Sequence, residues 1–179
     1  MGKRYIIAAL SAMLMLSGCG ASESSSDSSA APAGVTQNSA ESGNDNLPSF
    51  EELSKALSNA DSDKLTGSAV YDDPQFEKNC EKLFFCPKSE LSGGLIVYNQ
   101  NGGFADEVSA IKRRDGDTEK AMKALRDRQA MRHSDFDGYV PEELPKIDSG
   151  KVFETNGWCV LIISDSSDKL EKIVRDSLK

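Results

Sequence analysis

The sequence predicts an α+β fold: a single small domain in which a mostly antiparallel sheet of about four strands packs against helices. Three observations predict it. Apolar residues recur at helical spacing in four separate segments. Asn156-Gly157 lies between two strand-like runs, Val152 to Thr155 and Trp158 to Ile163. Such a pair is a strong short-range hairpin signal, because both turn residues must take positive φ. The order helix, helix, strand, strand, helix, strand, strand, helix sets the strands in consecutive pairs, which short connections join in antiparallel fashion.

Folding starts near Leu47. Ser49-Phe50-Glu51-Glu52 has the capping-box pattern, and Phe50, Leu53, Leu57 and Ala60 then repeat at helical spacing. Asp61-Ser62-Asp63 ends that helix. A second helix starts near Pro74, a residue suited to a first turn, carries Phe76, Cys80, Leu83 and Phe84, and is stopped by Pro87. Leu95 to Tyr98 reads as a strand flanked by Gly93-Gly94 and Asn101-Gly102-Gly103. Glu107 to Arg113 is a second, weaker strand, followed by a turn at Asp115-Gly116. Asp117 caps a long helix with Ala121, Met122, Ala124 and Leu125 on its packed stripe, reaching about Ser134. Residues 135–148, with Phe136, Tyr139 and two prolines, read as a connector.

The hairpin register pairs Thr155 with Trp158 and Phe153 with Val160, and puts Glu154 and Cys159 on the opposite face. Its second strand is apolar on both faces, which places it inside the sheet. Asp165 or Ser166 caps a last helix, whose Leu170, Ile173, Val174 and Leu178 face inward while Lys169, Glu171 and Lys172 face water.

The segment before this domain has a different character. Lys3 and Arg4 precede an apolar run, Tyr5 to Leu16, that is shorter than the about 20 residues a spanning helix needs. Charge, a short apolar run and then small residues is the order of a secretory signal peptide. Leu16-Ser17-Gly18-Cys19 resembles the lipobox of bacterial lipoproteins. The resemblance implies removal of residues 1–18 and a diacylglyceryl thioether on Cys19, followed by palmitate-type acylation. Two acyl chains hold a protein on a membrane stably, at about 0.8 kcal/mol per buried CH₂, where one is marginal. The expected location is therefore the cell membrane, lipid-anchored on its extracellular face.

Residues 20–46 contain eight Ser, four acids and no Lys or Arg, and Val35 is their one large aliphatic residue. Nothing there offsets the entropy of ordering the backbone, so residues 19–46 read as an anchored cysteine and a disordered linker. At 27 residues the linker reaches roughly 30 Å. Residues 47–179 are then the extracytoplasmic domain.

The formal charge is −8, and removal of Lys3 and Arg4 with the leader makes it −10. That balance argues against nucleic-acid binding, which needs clustered Lys and Arg. A single His rules out multi-His metal sites.

The stretch from Cys80 onward resembles an uncharacterised family of bacterial lipoproteins, typical of Gram-positive and often anaerobic bacteria, whose domain has no assigned function. EKLFFCPKSELSGGLIVYN, ADEVSAIK, and the long helix followed by FDGYVPEEL and the hairpin carry the resemblance. Within them Ala105-Asp106-Glu107 and the Tyr139-x-Pro141-Glu142 corner are the most telling. The resemblance implies a tethered extracytoplasmic domain and supplies no catalytic residues. Cys80 and Cys86 are not part of it. By association it also implies an alternative role, as an accessory factor or enzyme in O-acetylation of surface polysaccharide.

The residues themselves offer few sites for chemistry. His133, Ser134, Asp135 and Asp137 lie together in sequence, but neighbours on one helical turn point apart, and the expected reading is a solvated His near a helix C-terminus. Measured against a calcium loop, His133 and Leu144 stand where acids are needed. Ser166-x-x-Lys169 lacks the partner motifs of a penicillin-recognising enzyme and reads as a helix cap.

Cys80 and Cys86 flank a helix end and are candidates for a disulfide, reduced packed thiols being the alternative. Cys159 fills core space. Trp158 and Tyr139 are read as packing residues or ligand-stacking groups. Arg126, Arg128 and Arg132 with Lys112, Arg113 and Arg114 are read as a solvated face or a basic patch. No cofactor, metal site or catalytic residue is expected. The function expected is a non-catalytic binding or accessory module of the cell envelope, with an envelope protein or glycan as partner.

Overall fold

The computed structural model describes residues 49–179. The leader, Cys19 and the linker lie outside the described residues.

Apolar spacing and caps set the helices where the sequence places them. Helix α1 spans Phe50–Ala60, and Ser49 Oγ accepts from the Glu52 N–H at 3.3 Å. Helix α2 spans Pro74–Phe84, with Asp73 Oδ1 accepting from the Gln75 N–H at 2.7 Å. It ends before Pro87, as Phe85 turns into the left-handed region at φ 56°. Helix α3 spans Thr118–Asp137, capped by Asp117 through the Lys120 N–H. The expected end near Ser134 is therefore too early: Phe136 is buried on the same helix.

The connector expected over 135–148 is largely helical as well. A 3-10 turn at Pro141–Glu143 runs into α4, Leu144–Asp148. Proline suits both starts because its missing N–H would be unpaired in a first turn anyway. Helix α5 spans Ser167–Ser177, with Ser166 as its cap residue. None of these helices is long and apolar enough to cross a membrane.

The sheet has five strands, not four. β1 is Gly67–Val70, β2 Leu91–Tyr98, β3 Glu107–Arg113, β4 Lys151–Thr155 and β5 Trp158–Ile163, in the spatial order β1-β2-β3-β5-β4. All neighbours are antiparallel. β1 escapes the sequence because four residues including Gly and Ser have little strand preference; pairing with β2 makes it a strand.

Gly93 and Gly94, expected to flank β2, lie inside it. A Cβ on Gly93 would sit 2.6 Å from Trp158 Cη2, and one on Gly94 2.5 Å from Phe76 Cζ. Aromatic rings from the two layers thus press on adjacent residues from opposite faces.

The hairpin register is the expected one, Thr155 opposite Trp158 and Glu154 opposite Cys159, with Asn156 and Gly157 at positive φ. β5 lies inside the sheet, between β3 and β4, and all six of its residues are buried. Its two-faced apolarity is explained by two cores. On one face α1 and α5 pack over Leu95, Val97, Val108, Trp158, Val160 and Ile162. On the other α2, α3 and α4 cover Ile96, Ile111, Cys159, Leu161 and Ile163. Residues 49–179 therefore form a three-layer α+β domain, with α1 and α5 sharing one side.

Candidate functional site

A cleft of about 210 Å³ opens on the α2–α3 side of the sheet, near the β1–β2 edge. Its walls follow from two helical repeats. On α2, Phe76, Cys80 and Phe84 enter the core, which turns Gln75, Asn79 and Leu83 toward the cleft. On α3, Ala121 and Leu125 form the buried stripe, and the same stripe continues to Arg128 and Arg132, which line the other wall. Ala69, Ile96 and Tyr98 form the strand side, with Asn99 just beyond β2.

The arginines sit against Glu107, the first residue of β3, whose neighbour across the ladder is Tyr98. Arg128 Nε donates to Glu107 Oε1 at 3.1 Å and its Nη2 to Oε2, a two-pronged pair. Ser109 Oγ donates to Oε1 at 2.8 Å, and Arg132 Nε lies 3.7 Å from Oε2. Burial pushes the Glu107 carboxyl up, but Arg128 and then Arg132 outweigh it and hold the group below its ordinary value. Desolvation lowers Arg132 from the usual guanidinium range. Its Nη2 donates to the Phe104 carbonyl, its Cζ lies 4.7 Å from the centroid of the Phe136 ring, and its buried Nε has no hydrogen-bond partner.

A second buried cluster adjoins the first. Lys146 on α4 donates to Asp106 Oδ2 at 3.0 Å and Glu143 Oε2 at 2.7 Å, and Glu143 also accepts from the Ala105 N–H. Burial raises the Asp106 carboxyl despite Lys146, and its Oδ1 is buried without a partner. Glu143 is held low, because Lys146 and the Ala105 N–H outweigh its own desolvation. Ala105-Asp106-Glu107, which carried the family resemblance, is thus a fully buried joint between the sheet and α3–α4. In the Tyr139 corner the working carboxylate is Glu143, while Tyr139 is exposed.

The six basic residues weighed as one patch separate. Arg128 is buried, so the solvated-face expectation fails for it: its guanidinium is held by Glu107 from the neighbouring strand. Arg113 pairs with Glu90 and Asp115; Arg114 donates to the Ser89 and Leu91 carbonyls. Lys112 lies 5.6 Å over the Trp158 ring. Arg126 is exposed. Trp158 itself is buried core, packed edge-on against Phe50 at 5.3 Å.

The other candidates have structural partners. His133 Nε2 lies 3.4 Å from Asp148, and Ser134 Oγ donates to the Ala130 carbonyl. Ser166 stands just before α5 without a side-chain capping bond, and Lys169 donates to the Ala60 carbonyl at the end of α1. Cys80 and Cys86 are free, buried thiols in contact, and that contact together with burial pushes Cys80 well above the ordinary thiol value. Cys159 is fully buried, with its thiol pushed up to about 11, first by burial and then by Glu154.

The buried arginine–glutamate joint was missed because charged residues are read as surface. Its signal was present: Arg128 and Arg132 fall on the stripe of Ala121 and Leu125, and Glu107 shares a strand face with Ser109 and Ile111.

Comparison with protein families finds one domain, described as a domain of unknown function (DUF4358), matched over residues 73–165. The match starts at the α2 cap and stops before α5, so it contains both walls of the cleft and both charge clusters. No curated protein and no solved structure matches the chain.

Proposed function

The chain belongs to the family defined by this domain of unknown function, and from that premise we propose that it is a lipoprotein of the cell envelope, anchored through Cys19 on the outer face of the cytoplasmic membrane and carrying a non-catalytic binding module. The observation that carries the reading is Leu16-Ser17-Gly18-Cys19 behind a charged start and a short apolar run. The Ser-rich segment that follows supports it by supplying a spacer.

Within the domain, the cleft between α2 and α3 is the binding surface. Its charged groups are held by partners that fix their shape, as Glu107 fixes Arg128, and such fixed groups serve recognition. The thiols and His133 have structural surroundings, which also favours binding over chemistry.

The test is metabolic labelling with palmitate in a bacterial host that processes lipoproteins. The wild-type chain takes up label and sediments with membranes, and Cys19→Ala does neither. A Cys19→Ala chain that still carries label would overturn the reading.

A further inference from the structure

We propose that the α2–α3 cleft binds a small monocarboxylate with a short apolar body, through the guanidinium groups of Arg128 and Arg132. This rests on reading the domain as a binding module and names the chemistry that the module takes.

Four observations carry it. The residues lining the cleft include two arginines and no acid, in a chain whose formal charge is −8. Glu107 pairs with Arg128 and lies beside Arg132, and Asp135 also acts on Arg132 from the same helix. The adjoining Lys64 and Lys146 stand against Asp106 and Glu143. Two guanidinium groups on a cleft with no acid in its lining suit a monoanion, and the carboxylates behind them make a phosphate dianion a poorer match.

Second, the donors are spare. Glu107 takes Nε and Nη2 of Arg128, and Phe104 takes Nη2 of Arg132. Nη1 of each arginine has no partner among the described residues, and the same holds for Tyr98 Oη. Asn79 Nδ2 is used by the Gln75 carbonyl, so the amides of α2 form a polar rim without negative charge. The Nε of Arg132 is buried without a hydrogen bond and lies 3.7 Å from Glu107 Oε2, so the ion pair orients the guanidinium without using its Nη1.

Third, the arginines are prepositioned. Glu107 locks Arg128, and Phe136 stacks under Arg132. Little side-chain freedom remains to be lost when an anion arrives.

Fourth, size and lining set the body of the ligand. Ala69, Leu83 and Ile96 form the apolar part. A volume of about 210 Å³ equals about seven waters at roughly 30 Å³ each, below the usual range for drug-sized ligands. That room takes a carboxylate with a few carbons: a free short-chain acid or the C-terminal residue of a peptide.

Isothermal titration of the full chain distinguishes these. The probes are isobutyrate and N-acetyl-alanyl-alanine, with isobutyramide and the peptide amide as neutral controls and inorganic phosphate as the competing anion. One of the carboxylates binds with a Kd of about millimolar, as a ligand of so few atoms permits, and its amide does not. Tighter binding of the peptide identifies a chain terminus as the source, and tighter binding of isobutyrate a free acid. Arg132→Gln weakens binding about tenfold or more. Asn79→Asp, a change on the solvated rim that leaves the buried cluster intact, weakens it severalfold by repulsion and decides the matter if Arg132→Gln fails to fold. Equal binding of acid and amide, preference for phosphate, or no heat with any carboxylate overturns the proposal. Those results leave anchoring through Cys19 untouched, and an unlabelled Cys19 leaves the affinity of the cleft untouched.

Discussion

Glu107→Gln removes the counter-charge of a buried guanidinium and keeps the shape of the side chain. The Glu107 side chain is 1% exposed and that of Arg128 8%, so water cannot replace what is lost. Removing one partner of such a pair costs about 3–5 kcal/mol, because the surviving charge stays buried. Gln keeps one acceptor oxygen for Arg128, which puts the expected loss near the lower end, about 3 kcal/mol. For a domain of this size that lowers the thermal midpoint by about 10 °C.

The pH dependence has a definite sign. Glu107 is held below its ordinary value: its burial opposes this, and Arg128 prevails. A lowered native pKa contributes stability that is complete above the unfolded carboxylate value and is lost as pH falls through the native one. The gap between wild type and Glu107→Gln is therefore full at neutral pH and closes in acid, as the wild type protonates. Thermal unfolding followed by circular dichroism at pH 7 and at decreasing pH measures both. Glu107→Leu combined with Arg128→Met recovers part of the loss, since an apolar pair leaves only Arg132 without its neighbour. A Glu107→Gln protein that melts within about 2 °C of wild type at pH 7 refutes the buried-pair account.

Three further outcomes test the packing. Gly94→Ala drives a methyl group into the Phe76 ring and costs about 1–3 kcal/mol in urea unfolding; combining it with Phe76→Leu restores part of that, and a neutral Gly94→Ala contradicts the contact. Gly157→Ala forces a Cβ onto a residue at φ 79° and lowers stability by about 1–2 kcal/mol, with no change expected in the fold seen by far-ultraviolet dichroism. The Cys159 thiol, buried and pushed up to about 11, stays unmodified by iodoacetamide at pH 8 until the chain unfolds; alkylation of the folded protein at the rate of a free thiol would place it elsewhere.

Local chemistry was legible where a few neighbouring residues decide the outcome. Ser49 and Asp117 are caps that work through their own next turn, and Asn156-Gly157 sets a register that β4 and β5 follow without a slip. What was hidden depends on residues far apart in the chain. β1 exists because β2 pairs with it, and Gly93-Gly94 belong to a strand because Trp158, Phe50 and Phe76 cover them. Pro141 and Pro145 look like breaks but serve as helix starts, and Lys146 beside them is buried because Asp106 lies 3.0 Å away from forty positions earlier.

The cleft was hidden for the same reason. A reading by residue type sends Arg128 to the surface; the stripe of Ala121 and Leu125 sends it inward, and only the facing Glu107 makes that burial affordable. The family motif Ala105-Asp106-Glu107 was visible as a string, while its role as a joint with α3 and α4 needed the fold.

The central claim, that the domain hangs from a membrane by an acylated Cys19, is tested most directly by intact-mass measurement of the protein extracted from bacterial membranes. The account predicts a chain that begins at Cys19 and is heavier than its sequence by a diacylglyceryl group, with or without a further acyl chain. A chain that retains Met1–Gly18, or one cut elsewhere with no lipid mass, would contradict it.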